Sequence, residues 1–398
     1  MNYYKPSDLE VENKKVLIRV DFNVPIKEDE NGNRIVTDDT RIRAAIPTIK
    51  SVLERNGKAI LISHLGRPKG VPNQAFSLSP VALKLEELLG KRVRFASHLT
   101  SNAVKEVIDR MPGGSVILLE NTRFHPGEKQ NDDELAQELA ALADLYINDA
   151  FGSAHRAHAS TEGVARHVSV AAMGLLLQRE IEYLSKLLNG AESPYVGILG
   201  GAKVSDKIGV IESLLDRVDH LLIGGAMSYT FLKSLGHNIG DSMFEEDKLE
   251  VARHLYEHAE GRIHLPIDHI VADAFSNDAE FSTVEGDISE GMALDIGPAT
   301  VQAYRKILLD AKTIVWNGPM GVFEMSNYAK GTFSIAETLA EVTATGALTI
   351  VGGGDSVAAI KQMRFEDRVS HVSTGGGAML EFLEGKTLPG IAALSEKE

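Results

Sequence analysis

The chain has 398 residues, 43% of them hydrophobic and 24% charged, a formal charge of −15 at pH 7 and no cysteine. That length exceeds what one hydrophobic core supports, so two domains of a soluble globular protein are expected, and the missing cysteine excludes disulfides, thiolate metal sites and a cysteine nucleophile and fits a reducing cytosol. The acidic balance argues against non-specific nucleic-acid binding, and a polar start at residues 1–6 with no apolar stretch longer than 168–177 gives no reason to expect a signal core or a membrane role.

Short β-branched runs recur at 16–20, 59–63, 116–120, 145–149, 196–199, 221–223, 313–316, 347–351 and 371–373, each followed by a helical pattern. Near-continuous apolar strands alternating with amphipathic helices predict an α/β fold class: two doubly wound domains with mostly parallel sheets. Residues 175–188 carry apolar side chains at helical spacing and stop at Asn189-Gly190. They read as the helix joining domains 1–174 and 189–380. The notable motifs fall just after the apolar runs, which is the carboxyl edge where open α/β sheets bind ligands.

In the first half these motifs carry charge. Asp21-Phe22-Asn23 ends the first strand with groups that accept from and donate to a hydroxylated ligand, or simply form a turn before Pro25. Arg67 in Ser63-His64-Leu65-Gly66-Arg67 and Arg123 in Glu120-Asn121-Thr122-Arg123 stand a few residues past a strand, where a guanidinium fork grips phosphate or carboxylate. Arg156 lies between His155 and His158, and Arg41 precedes Ile42-Arg43. One such arginine reads as a surface ion-pair partner; the recurrence predicts a shared anion pocket.

In the second half the motifs carry glycine. Gly200-Gly201-Ala202-Lys203-Val204-Ser205-Asp206-Lys207 is expected to follow a strand and open a helix, where bare N–H groups and the helix dipole attract phosphate, or to be a plain helix cap with solvated lysines; Lys203 and Lys207 share a face if the helix has begun. Ala202 and Val204 around Lys203 rule out the Walker A frame. Gly352-Gly353-Gly354-Asp355-Ser356 adds a carboxylate suited to Mg2+, and Gly375-Gly376-Gly377 a second set of unobstructed N–H groups. Residues 316–324, Trp316 to Glu324, offer apolar surface for a base and a carboxylate for ribose, or a turn with a solvated Glu324. Two different phosphorylated ligands are implied.

Taken in order from Asp21-Phe22-Asn23 to Leu388-Pro389-Gly390, these motifs resemble those of the phosphoglycerate kinase family over nearly the whole chain. The resemblance implies a glycolytic enzyme that reversibly moves the acyl phosphate of 1,3-bisphosphoglycerate to Mg-ADP, giving 3-phosphoglycerate and ATP. It assigns Asp21, Asn23, Arg41, His64, Arg67, Arg123 and Arg156 to the phosphoglycerate. It assigns Lys207, Gly224, Gly225, Ala293, Pro319, Glu324, Gly353, Gly354, Asp355 and Ser356 to the nucleotide, with Asp355 toward Mg2+. Arg41, Lys203 and the N–H groups of Gly376 and Gly377 would surround the phosphoryl group in transfer. It further implies a cytoplasmic monomer, a hinge at the inter-domain helix and a segment 381–398 that returns to the first domain. The chain departs from the family at Glu290-Gly291-Met292-Ala293-Leu294-Asp295, which lacks a tryptophan before Met292 and has Ala293 in a glycine position. Ser153 also replaces a usual threonine.

The chemistry agrees with the resemblance. A carboxylate attacking ATP is already ionised at pH 7, so no general base is required, and Ala157 after His155-Arg156 breaks the protein-kinase catalytic loop. A nicotinamide dehydrogenase would need a G-x-G-x-x-G fingerprint, which no glycine cluster supplies. A non-catalytic descendant of a kinase would be marked by loss of Arg41, Lys203 or Asp355, and all three are present.

Overall fold

The computed structural model describes residues 2–397. The chain divides into two compact units, one formed by residues up to Ile181 together with those from Thr387 onward, the other by Glu182–Lys386.

In the first unit the strands are β1 (Lys15–Arg19), a small antiparallel hairpin β2 (Ile26–Glu28) and β3 (Arg34–Val36), then β4 (Lys58–Ile62), β5 (Val93–Ala96), β6 (Val116–Leu119), β7 (Leu145–Asn148) and β8 (Ala171–Met173). Six of them form one parallel sheet in the order β5-β6-β4-β1-β7-β8. The central strand β1 is buried from Val16 to Arg19, as a strand covered on both faces must be. The helix Thr40–Leu53 buries Ile42, Ala45, Ile49 and Val52, a stripe at helical spacing that packs into the same core as Val16, Ile18 and Leu61.

The helix Leu175–Asn189 begins in this unit, and its first turn is capped from other elements. Thr48 Oγ1 accepts the Leu175 N–H at 2.9 Å, and Asp149 Oδ1 accepts those of Leu176 and Leu177 at 2.9 and 3.3 Å. Burial pushes the Asp149 carboxyl up to about 7 against those hydrogen bonds. The returning C-terminal residues dock beside β7 and β8: Asn148 Nδ2 donates to Gly390 O at 2.9 Å and Ser395 N to Ala171 O at 2.8 Å.

The second unit contains β9 (Tyr195–Leu199), β10 (His220–Ile223), β11 (Ile263–His264), β12 (Asp268–Ala272), β13 (Phe281–Glu285), β14 (Met292–Ile296), β15 (Thr313–Asn317), β16 (Leu348–Gly352) and β17 (His371–Val372). Its parallel sheet runs β11-β10-β9-β15-β16-β17, and β13-β12-β14 form a separate antiparallel sheet. Residues 381–386 stay with this unit, because helix Gly376–Leu383 packs on helix Ile208–Leu215, where Ser213 Oγ donates to Leu383 O. Both parallel sheets are doubly wound, which establishes the expected α/β class.

Several strands that the apolar runs do not announce lie at sheet edges. This holds for β5, β11 and β13: only Val93 of β5 is buried, β11 has two residues, and β13 is mostly exposed. Such strands need no apolar run, so periodicity passes over them. Among the described residues no helix is long and apolar enough to cross a membrane.

Candidate active site

At the carboxyl edge of the first sheet, Arg19 at the end of β1 pairs with Ile62 of β4 and Asn148 of β7, so these strands finish level. The residues that follow converge. Arg41, in the first turn of its helix, donates through Nη1 to Asp21 Oδ1 and Asn23 O, each at 3.2 Å. Asn23 Oδ1 accepts the Gly66 N–H at 2.9 Å, tying the loop after β1 to the loop after β4. Asn121, fully buried, clamps that loop to the one after β6. Its Oδ1 accepts from Leu65 N at 3.1 Å and Arg123 N at 3.0 Å, while its Nδ2 donates to Leu65 O at 2.7 Å.

The electrostatics of this edge are lopsided. Arg123 is buried and donates Nη1 to Gly66 O at 2.7 Å, yet its Nε is sealed from solvent with no partner within the protein. Burial, then the neighbouring Arg156, lowers its pKa to about 10, so it stays charged at neutral pH. Burial, followed by Arg19, Arg123, Arg41 and Arg156, holds His64 well below the ordinary imidazole range. Burial also brings His155 to about 4 and His158 to about 3. Four guanidinium groups around neutral imidazoles, with a buried donor unsatisfied, form a local field that favours a multiply charged anion despite the acidic chain. Arg67 and Arg156 reach solvent at the rim.

The second sheet offers main chain at the corresponding edge. Asn317 of β15 pairs with Leu199 of β9 and Gly352 of β16, and the strand order reverses between β9 and β15. There the loops touch through backbone. A Cβ on Gly318, whose φ is +101°, would lie 2.2 Å from Gly200 O, and one on Gly200 would lie 2.0 Å from Pro319 O. Gly201 N donates to Pro319 O at 3.0 Å, Gly225 N to Met320 O at 2.9 Å, and Gly318 N to Ser356 Oγ at 2.6 Å. Gly224, Gly225, Pro319, Gly353, Gly354 and Ser356 are thereby brought to one crevice, where helices Gly354–Gln362 and Gly376–Leu383 begin. A Cβ on Gly376 would sit 3.1 Å from Gly353 Cα, so the two N-termini adjoin. They present free N–H groups and positive dipole ends.

Three expectations change. The segment from Gly200 to Lys207 does not open a helix, which starts at Ile208. Buried Val204 holds the segment as a turn, with Ser205 N and Oγ bonded to the Glu245 carboxylate at 3.0 and 2.5 Å. Lys203 and Lys207 therefore share no face: Lys203 is exposed, while Lys207 is buried and donates Nζ to Asn317 O and Oδ1. Burial lowers Lys207 to about 8, with Asp206 and Asp355 opposing. Trp316 offers no surface for a base, because it lies fully buried in the sheet core and donates Nε1 to Gly318 O. The exposed Met243 follows Ser242, whose hydroxyl accepts the Ala293 N–H at 3.0 Å. The Ala293 methyl itself packs with Tyr229, Val271 and Ile288. Glu324 is exposed on the loop after β15.

Four residues near the two edges escape motif reading: Arg19, Asn121, Glu128 and Asn317. Asn317 carries a sealed, unpartnered Nδ2, and a Cβ on Gly353 would come within 3.0 Å of it. The only signal for Arg19 is a charge interrupting the apolar run Val16-Leu17-Ile18-Arg19-Val20. For Mg2+, the exposed Asp355 carboxylate lies in the first turn of its helix, and no cluster of three or more potential ligands exists among the described residues. One carboxylate beside a phosphate cradle fits an ion that keeps water and phosphate oxygens as its other ligands.

Comparison with known proteins agrees with this arrangement. The family model described as phosphoglycerate kinase matches residues 7–386. Among curated relatives, the phosphoglycerate kinase of Salinibacter ruber is 59% identical over 390 residues and that of Chlorobaculum tepidum 54% over 396, each covering 98% of both chains. Among solved structures, phosphoglycerate kinase from Coxiella burnetii superposes with a TM-score of 0.87 at 43% identity, and that from Pyrococcus horikoshii with 0.85 at 32%, again over 98% of both chains. A cationic pocket on one doubly wound sheet and a glycine cradle on another, in a chain matched from end to end at this identity, place the protein in the phosphoglycerate kinase family of phosphotransferases.

Proposed function

We propose that this enzyme transfers the acyl phosphate of 1,3-bisphosphoglycerate to Mg-ADP, reversibly, by direct in-line displacement after closure of a hinge, as a cytoplasmic monomer in glycolysis. The observation that carries the proposal is the buried, incompletely bonded Arg123 among Arg41, Arg156 and His64. That pocket offers guanidinium donors to an anion rather than a nucleophile activated by a base. A carboxylate acceptor needs nothing more.

In this reading residues 1–174 bind phosphoglycerate through Asp21, Asn23, Arg41, His64, Arg67, Arg123 and Arg156, and residues 189–380 bind the nucleotide. Gly224, Gly225, the Ala293 main chain, Pro319 and Glu324 receive the nucleoside, and Lys207, Gly353, Gly354 and Ser356 its phosphates. Residues 175–188 join the two domains, and the segment from 387 onward returns to the first. Asp355 would hold Mg2+, which would supply positive charge against the nucleotide phosphates. Arg41, Lys203 and the N–H groups of Gly376 and Gly377 spread the charge of the phosphoryl group in transfer, and closure shields the acyl phosphate from water.

The test is a coupled assay with protein, Mg-ATP and 3-phosphoglycerate, reading 1,3-bisphosphoglycerate through NADH oxidation by glyceraldehyde-phosphate dehydrogenase. Turnover that requires all three components is expected. Folded protein that binds both ligands without turning over would refute the transfer.

A further inference from the structure

Beneath the cationic pocket lies a buried polar chain that does not itself reach the pocket's ligand side. Arg19, fully buried at the end of β1, donates Nε to Ser160 Oγ at 2.9 Å, Nη1 to Val20 O, and Nη2 to His64 Nδ1 at 3.1 Å. Ser160 passes the interaction on, donating Oγ to Glu128 Oε1 at 2.6 Å and N–H to Oε2 at 3.0 Å. Glu128, also fully buried, accepts in addition from Thr122 Oγ1 at 3.1 Å, next to Arg123. The carboxylate thus balances the buried guanidinium through a hydroxyl and braces two loops of the pocket at once.

A guanidinium has donors and no acceptor, so a hydrogen bond from Nη2 requires His64 Nδ1 to be the unprotonated ring nitrogen. We propose that Arg19 is a positioning residue that locks His64 as the neutral tautomer with its proton on Nε2, presented to the bound anion as a hydrogen-bond donor. Among the described residues Nε2 has no hydrogen-bond partner, and it is not one of the sealed polar atoms. The charged groups that act most strongly on the ring from other elements are cationic, Arg19 from β1, Arg41 from its helix, Arg123 after β6 and Arg156 after β7, with the Asp21 carboxylate bonded to Arg41. These cations oppose an imidazolium in the same direction as burial. His64 then donates without titrating, and the pocket's positive charge comes from guanidinium groups alone. That the anion is a phosphoglycerate rests on the function proposed above.

The experiment is NMR of the full chain with 15N-labelled histidine, assigning His64 among the 13 histidines by its loss in His64→Gln. From pH 6 to 8 the expected signals show Nε2 protonated, Nδ1 unprotonated and no titration. A proton on Nδ1, or an imidazolium forming in that window, would overturn the proposal. Arg19→Lys keeps the charge and loses the fork, so His64 should begin to exchange between tautomers and the KM for 3-phosphoglycerate should rise about tenfold with kcat within about twofold. An unaltered His64 spectrum in folded Arg19→Lys would overturn the role of Arg19. Ser160→Ala, which removes only the bridging hydroxyl, provides the same readouts if the lysine variant does not fold. His64→Gln places an amide N–H near the Nε2 position and His64→Asn near Nδ1, so Gln should retain more affinity. An Nε2–H tautomer combined with an unchanged KM in both His64 variants would refute the substrate contact and the pocket assignment, leaving the tautomer intact.

Discussion

At the strand ends of its first sheet the protein places arginines and histidines; at the strand ends of its second it places glycines. Both sheets are parallel, doubly wound and level at the carboxyl edge, so the scaffold is the same and the recognition chemistry differs. Side chains in the first unit supply full charges whose positions depend on buried partners such as Asn121, Asp21 and Glu128. Main chain in the second supplies partial charges whose positions are set by close backbone packing, with Gly318 against Gly200. A charge can be deleted with little harm to the fold, whereas a backbone contact admits no added atom. The two halves should therefore fail differently.

The largest effect belongs to the charges. Arg41→Ala removes a group proposed to stabilise the transferring phosphoryl, and turnover should fall about 100- to 1000-fold, the range for losing one preorganised electrostatic donor. Arg41 is about one-third exposed and contacts Asp21 and Asn23 at the surface of the pocket, so the melting temperature should stay within a few degrees. Turnover near that of the parent enzyme, measured in the coupled assay, would remove Arg41 from the reaction. Gly318→Ala should show the reverse order of symptoms. Its Cβ would meet Gly200 O at 2.2 Å from a left-handed backbone, so stability should drop by about 3 kcal/mol before any question of affinity arises. Chemical denaturation is the readout, and a loss below about 1 kcal/mol would mean that the loops are not pressed together as described.

The same contrast explains what the sequence discloses. Strand-end arginines and glycine triplets are local signals, readable because an apolar run fixes where the strand stops. The long-range partners are silent. Asp149, Asp268 and Asp295 each lie on or beside a strand and cap a helix that begins 26 to 35 residues later, Leu175–Asn189, Pro298–Leu309 and Lys330–Ala344 respectively. No capping pattern in the helix's own flanking residues reveals that. The run 313–316 places Trp316 at a strand end, where an exposed ring is a fair expectation; the sheet continues one residue further, through Asn317, and buries the indole. Lys207 looked like the helical neighbour of Lys203 because four-residue spacing was the only cue, and the turn at Val204 is set by packing that spacing does not encode.

Titration sharpens the comparison further, because arginines do not lose their charge in the working range and Lys207 does. Its burial-lowered pKa of about 8 lies in the free protein, and an anionic phosphate binds the protonated form better. Binding Mg-ADP should therefore take up a proton above pH 8, with affinity falling up to about tenfold per pH unit there and flat below. Arg123 at about 10 and the neutral histidines predict no such fall for 3-phosphoglycerate between pH 7 and 9. Calorimetry of each ligand across that range separates the two. A parallel decline for both ligands would mean that neither half is distinguished by its cation.

The smallest effect probes whether the half proposed to bind nucleotide reads its ligand through main chain. The Ala293 methyl is buried in a cluster with Tyr229, Val271 and Ile288, and the residue's N–H is taken by Ser242 Oγ. Ala293→Gly deletes one buried methyl and loosens a strand, which should reduce stability by about 1 kcal/mol. Nucleotide affinity should stay within about twofold of the parent. A larger change in affinity than in stability would show that the methyl shapes the base-binding surface, and that the second unit, like the first, uses side chains at its ligand.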